Sequence, residues 1–83
     1  MDKFGERLKQ VRKNRGYNQT TASVLVARAG NNVMRTKQQW SEYELGHKFP
    51  NIHKLYDICV AFGCSADYLL GLSDKEERSN KNG

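Results

Sequence analysis

The sequence lacks the features that mark several classes of protein. It has two cysteines, Cys59 and Cys64, which are too few for the disulfide framework of a small secreted domain, and their spacing is not that of a zinc knuckle. Its longest apolar run, Val24 to Ala27, is far too short to span a bilayer. The charged N-terminus has no apolar segment typical of a signal peptide. We therefore expect a reduced, cytoplasmic protein with no metal site and no membrane partner.

Catalytic signatures are also missing from the 83 residues. No nucleophile–base pair, carboxylate pair or phosphate-binding loop stands out. A chain of this length buries only about 60% of its unfolded surface, which leaves room for one small core and no deep substrate cavity. The sequence therefore predicts a single domain that is not an enzyme and that needs no cofactor and no small-molecule substrate.

Basic charge is present, and it is concentrated in the first half of the chain. The net charge is +5. Residues 1–16 carry six basic side chains against two acidic ones, Arg28 and Arg35 follow, and residues 36–83 sum to −1. This distribution favours a polyanionic partner, although solubility alone can account for a modest positive charge.

The spacing of apolar residues predicts five short helices and no strand. The predicted helices cover residues 2–15, 19–29, 36–45, 52–62 and 66–70. Residues that cap or end helices flank these ranges, namely Gly16, Asn18, Thr36, Gly46, Asn51, Gly63 and Ser65. Residues 73–83 contain no apolar side chain, so we expect a disordered polar tail after a domain of residues 1–72.

The segment Thr36–Gly46 has the clearest functional pattern. Trp40 and Tyr43 lie three residues apart, which puts them on one face of a helix and indicates an inward side. Lys37 and Gln38 face outward near its N-terminal end. Lysine and glutamine are side chains that hydrogen-bond to base edges. Any helix on the surface of a soluble protein has a polar face, so this pattern alone does not indicate DNA reading. It does so only when other segments of the chain support the same function.

Four segments of the sequence occur in the same order as the corresponding segments of a known domain. They are Phe4–Gly16, Asn18-Gln19, Trp40–Gly46, and Phe49-Pro50 taken with Ala61–Gly71. Together they cover about residues 4–72 and resemble the phage-repressor/Cro-type (XRE family) helix-turn-helix DNA-binding domain. The resemblance implies an all-α, compact five-helix bundle of the lambda-repressor-like type, whose second and third helices dock on DNA.

The resemblance also implies roles for individual residues. The base-reading positions are Lys37, Gln38, Gln39 and Ser41. We assign phosphate contacts to Gln19, Thr36 and Lys48, and Gln19 would also brace the reading helix. Arg12 and Glu44 match a family pair that links the first helix to the third. Trp40 and Tyr43 are expected in the core rather than as stacking platforms for bases.

The connection between the second and third helices departs from the family pattern. The usual turn has about three or four residues, whereas the stretch from Gln19 to Thr36 is longer, with the excess within Ala27–Arg35. Either the second helix is longer or the turn has become a loop. Arg28 and Arg35 use the extra reach to contact phosphates, or the excess is a tolerated surface insertion.

The leading hypothesis is a sequence-specific transcriptional regulator, a repressor that reads the major groove of double-stranded DNA with helix 36–45. The resemblance suggests a homodimer on a pseudo-palindromic operator, with a dimer surface in the fifth helix around Tyr68–Leu72. The alternative is a protein-interaction module, such as an antitoxin-like partner or an anti-repressor target, because a fold does not fix a function.

Overall fold

Five α-helices make up most of the part of the chain that the computed structural model describes, residues 3–30 and 37–77. They are α1 (Phe4–Asn14), α2 (Gln19–Gly30), α3 (Lys37–Leu45), α4 (Ile52–Phe62) and α5 (Ala66–Leu70). Within these ranges the only extended pairing is an isolated bridge between Cys64 and Glu77. The predicted all-α, five-helix fold is confirmed. Because α2 runs to residue 30, it is one residue longer than predicted, and residues 31–36 of the lengthened connection lie outside the described residues.

Several helix ends lie at the residues that the sequence marks for them. The side chains of Asn18 and Asn51 each accept a backbone hydrogen bond at 2.8 Å from the first turn of the following helix. Gly63 has a φ of 64°, which ends α4 without the steric penalty that a Cβ would bring. These interactions are local in sequence, so the sequence alone locates them. The predicted cap of α3, Thr36, lies outside the described residues.

A single hydrophobic core lies where α2 packs on α4 and α1 packs on α3 and α5. Trp40 of α3 is fully buried there, and its ring meets Phe62 of α4 edge to face with centroids 5.7 Å apart. This aromatic geometry adds about 0.5–1.5 kcal/mol beyond the burial of area. The inward side of α3 is therefore fixed by packing.

Gly5 allows α1 to lie directly on the backbone of α3. A Cβ at this position would come within 2.3 Å of the carbonyl oxygen of Glu44 and 2.9 Å of that of Tyr43. Backbone atoms cannot move aside as the end of a flexible side chain can. The C-terminal half of α3 is therefore held at a fixed distance from α1.

Residues 73–77, which we call the strap, lie against α1 and the start of α5. Nη1 of Arg7 donates to the carbonyl oxygen of Ser73 at 2.6 Å. The backbone N–H of Ser65 donates to the carbonyl oxygen of Glu76 at 2.8 Å. Arg15 forms an ion pair with Glu76 at 3.2 Å. The polar residues of the strap are thus held against the helices by hydrogen bonds and an ion pair. The rest of the predicted tail, 78–83, lies outside the described residues, and the domain boundary at residue 72 stays a prediction.

We expect a chain that ends at Leu72 to be less stable than one that ends at Glu77. The shorter chain loses the hydrogen bonds of the strap, which contribute about 0.5–1.5 kcal/mol each, so the free energy of unfolding should fall by about 1–3 kcal/mol. Urea denaturation of the two chains measures the difference. The chain that ends at Glu77 is the matched control, because it keeps every contact described above. Equal stability of the two chains would show that the strap contributes nothing.

Candidate nucleic-acid interface

The carboxylate of Glu44, near the end of α3, accepts hydrogen bonds from three helices. Its Oε2 accepts from Nε of Arg12 at 2.6 Å and from Nε1 of Trp40 at 2.5 Å. Its Oε1 accepts from Nη2 of Arg12 at 3.1 Å and from Nε2 of Gln19 at 3.1 Å. One side chain therefore links α3 to both α1 and α2. We call this group of four residues the Glu44 clamp.

The clamp is shielded from water. The Arg12 and Glu44 side chains are 11% and 4% exposed, and Nη1 of Arg12 is also bound by the carbonyl oxygen of Tyr17 at 2.9 Å. Burial by itself raises the pKa of Glu44, but the hydrogen bonds from Arg12, Trp40 and Gln19 and the charge of Arg12 outweigh burial and lower that pKa below its ordinary value. Glu44 is therefore ionised at neutral pH, as its pairing with Arg12 requires.

The opposite side of α3 faces solvent. Lys37 and Gln38 are exposed in its first turn, and Ser41 lies one turn further on and is half-buried. Leu45 is 65% exposed and continues the same side, because these four positions fall within about 100° around a helix of 3.6 residues per turn. We call them the exposed face of α3. Leu45 has no role among the sequence-based predictions.

Gln39 does not share this face with the other three predicted base-reading residues. Its Nε2 donates to the hydroxyl of Tyr43 at 3.2 Å, on the inward side of the helix. Burial raises the pKa of Tyr43 above its ordinary value, and the hydrogen bond from Gln39 and the charge of Lys48 offset only part of that rise. Tyr43 therefore stays neutral at physiological pH. The two-residue separation of Gln39 from Lys37 rotates it by about 200°, which explains its position.

The residues predicted to contact phosphate are in different situations. Gln19 is the first residue of α2, and its amide is engaged in the Glu44 clamp. Arg28 is exposed in the last turn of α2. Lys48 follows α3, and its Nζ lies 3.3 Å from a carboxylate oxygen of Glu42, which offsets part of its charge. The other two, Thr36 and Arg35, lie outside the described residues.

The two cysteines are buried and are not joined by a disulfide bond. A hydrogen bond with Cys59 raises the pKa of the Cys64 thiol, and burial raises it further, so that this thiol stays protonated. Over residues 3–30 and 37–77, no group of three or more histidine, cysteine or acidic side chains is arranged to hold a metal ion. Nor does any helix in those ranges have the length and apolar character needed to cross a membrane.

We expect the substitution Glu44→Gln to reduce the free energy of unfolding at pH 7 by about 3–5 kcal/mol, because it leaves the buried charge of Arg12 without a compensating negative charge. The lowered pKa of Glu44 gives the sign of the pH dependence. The stabilisation is fully present above the ordinary pKa of 4.5 and is lost as the pH falls through the lower pKa of the folded state. Denaturation across pH should therefore show the two proteins becoming more alike in acid.

The matched control is Glu42→Gln, on the same helix. Its ion pair with Lys48 is much more exposed, with side chains 28% and 69% accessible, so the stability should change by less than about 1 kcal/mol. Similar losses for Glu42→Gln and Glu44→Gln at pH 7 would contradict a special role for the clamp.

Comparison with known proteins agrees with this architecture. Residues 5–75 match the helix-turn-helix domain family. The chain is 35% identical over 79 residues to the HTH-type transcriptional regulator ImmR of Bacillus subtilis (strain 168), which covers 95% of this chain and 54% of that protein. It is 34% identical over 67 residues to the SPbeta prophage-derived uncharacterized HTH-type transcriptional regulator YonR of the same organism, which covers 81% of this chain and 56% of that protein.

The chain thus spans about half the length of the curated relatives that it matches. No solved structure is significantly similar to it. The family match extends from α1 through α5 into the strap, and it includes both the Glu44 clamp and the exposed face of α3. The predicted family is therefore confirmed, and the chain belongs to the XRE-type helix-turn-helix family.

Proposed function

We propose that this domain is the DNA-reading part of a transcription regulator, and that the exposed face of α3 reads base edges in the major groove of double-stranded DNA. The observation that carries the proposal is the exposure of Lys37 and Gln38 at the start of a helix whose opposite side is clamped and buried. Both relatives described above are named as HTH-type transcriptional regulators, which supports the same conclusion.

The chemistry of the exposed face suits base recognition. Gln38 can form two hydrogen bonds with adenine N6 and N7, and Lys37 can donate to guanine O6 and N7. Ser41 can bond either base, and the exposed methyl groups of Leu45 suit the C5-methyl of thymine. Gln39 supports this face from behind through its hydrogen bond with Tyr43.

Rigid placement of these side chains supports specificity. A reading helix must present its side chains within a narrow range of positions, which requires supports from outside the helix. The Glu44 clamp ties α3 to α1 and α2, and Gly5 brings α1 onto the backbone of α3. These contacts lie near the end of α3 and leave its first turn exposed to solvent.

The finer features of the regulator belong to the same proposal. It acts in the cytoplasm as a repressor and binds a pseudo-palindromic operator as a homodimer, because one small domain makes few base contacts and a second copy supplies much of the specificity. Repression can be tested with a reporter gene placed behind a DNA sequence that the protein binds. A repressor lowers the expression of that gene, whereas an activator raises it.

We expect Lys37→Ala and Gln38→Ala each to weaken specific duplex binding by about 1–3 kcal/mol while the fold is kept, because each removes a base contact from an exposed position. Selection from random duplex DNA first identifies the bound sequence, and titration of that sequence then measures each variant.

The controls are Lys75→Ala and Gln10→Ala, which remove the same side chains from the strap and from α1. Both should bind as the wild type does. If the wild-type chain selects no sequence and shows no salt-dependent duplex binding, the protein-interaction module becomes the better proposal.

Arg28 and Arg35 are proposed to contact phosphates from either end of the lengthened connection. If both do so, replacing both with alanine should reduce the slope of log affinity against log salt concentration by about two, since each phosphate contact contributes about 0.9. The double lysine variant is the control, because it keeps both charges and should keep the slope. An unchanged slope for the alanine variant would favour a tolerated surface insertion.

A further inference from the structure

An ion pair lies at the edge of the exposed face of α3. Nζ of Lys48 is 3.3 Å from Oε1 of Glu42, and the Glu42 side chain is 28% exposed. We call these two residues the Glu42–Lys48 pair. Glu42 follows Gln38 by four residues, which rotates it by only about 40° around the helix and moves it by about 6 Å along the axis. The pair therefore extends the exposed face toward the end of α3.

The turn that ends α3 brings Lys48 next to Glu42. Gly46 has a φ of 80°, in the left-handed region that glycine favours at the end of a helix. The chain then folds back, and the backbone N–H groups of His47 and Lys48 donate to the carbonyl oxygen of Glu42 at 3.0 and 3.3 Å. The two charged side chains thus meet because hydrogen bonds of the backbone hold their Cα atoms close together.

The stability of the fold gives no reason for this ion pair. The Lys48 side chain is 69% exposed, and ion pairs at such positions contribute little because water screens them. On a surface that faces DNA, the pairing has another effect. The phosphates repel a lone carboxylate, whereas a carboxylate paired with a lysine adds no net charge to the surface. The pairing therefore allows a glutamate to approach the bases.

The Glu42–Lys48 pair sets an acceptor beside a donor, and one edge of a C·G base pair is complementary to this arrangement. In the major groove, that base pair presents the N4 donor of cytosine beside the O6 acceptor of guanine. A hydrogen bond of the base pair joins these two atoms, so they are about 2.9 Å apart. The carboxylate oxygen and the ammonium nitrogen are separated by a similar distance, 3.3 Å. The carboxylate can therefore accept from N4 while the ammonium donates to O6.

The other three base pairs fit this arrangement less well. In G·C and T·A the carboxylate would face O6 of guanine or O4 of thymine, and both of these atoms are acceptors. A·T does set a donor beside an acceptor, but the carboxylate would then lie beside the N7 acceptor of adenine, and the ammonium beside the methyl group of thymine. Only C·G gives the ammonium a second acceptor, N7 of guanine. The chemistry thus favours C·G.

We propose that the Glu42–Lys48 pair reads one C·G base pair in the major groove, with Glu42 accepting from cytosine N4 and Lys48 donating to guanine O6 and N7. The inference rests on the proposed function and adds two specificity-determining residues to it. Because about 6 Å along the helix exceeds the step of about 3.4 Å between base pairs, this base pair is not the one that Gln38 contacts. The phosphate contact expected for Lys48 from the sequence is the competing arrangement.

The first experiment selects bound sequences from random duplex DNA with the wild-type chain and with Glu42→Gln. The wild-type site should contain the C·G base pair, and replacing it by A·T should weaken wild-type binding by about tenfold or more. Glu42→Gln exchanges the carboxylate for an amide, which can form two hydrogen bonds with adenine N6 and N7. This variant should therefore select A·T at that position and keep the wild-type preference at every other position.

The substitution Lys48→Gln separates base reading from a phosphate contact. If Lys48 donates to guanine, the variant should lose most of the preference for C·G at the same position and keep the preferences elsewhere. If Lys48 instead contacts a phosphate, the variant should bind all sequences more weakly by the same factor. The slope of log affinity against log salt concentration should then fall by about 0.9. That second result would overturn reading by the Glu42–Lys48 pair.

The matched controls are Glu6→Gln and Lys75→Gln, which remove the same charges from exposed positions of α1 and the strap. Both should select the wild-type sequence. If Glu42→Gln also selects the wild-type sequence, the inference is wrong, while base reading by Lys37 and Gln38 still stands. A wild-type chain that selects no sequence would overturn the proposed function, and this inference with it.

Discussion

One buried carboxylate holds α1, α2 and α3 in register. Glu44 is the only side chain of the described residues that takes hydrogen bonds from α1, α2 and α3 together. A buried charge is costly unless it is paired and fully hydrogen-bonded, so small displacements of α3 relative to α1 or α2 are penalised through a single group. Arg12 and Gln19 are held to α3 through this carboxylate, although both lie far from Glu44 in sequence.

The nine residues of α3 are divided between two tasks. Trp40, Tyr43 and Glu44 fix the helix to the core, and Lys37 and Gln38 at its start are left to solvent. A helix this short contributes little stability of its own, so its position depends on these contacts and on the close approach of α1 at Gly5. The position of its exposed end is therefore a consequence of tertiary packing at the other end.

The molecule presents two chemically different surfaces on different helices. The exposed face of α3 is mostly polar, while α4 exposes the apolar side chains of Ile52, Tyr56 and Val60. α4 is fixed by its packing on α2, the helix that also supplies Gln19 to the clamp.

The sequence by itself determined the number of helices and several of their ends, because caps such as Asn51 and stop residues such as Gly63 act within one turn of the chain. Periodicity also put Trp40 and Tyr43 on one side of α3, and the family resemblance paired Arg12 with Glu44.

Only the tertiary structure decided which residues of a periodic pattern are covered. Ile52 has the spacing of a core residue and yet is exposed, because a five-helix bundle has too few neighbouring elements to cover every apolar row. The polar strap packs because Arg7 and Arg15 stand opposite it. Each of these outcomes depends on groups brought together from distant parts of the chain, which no local pattern records.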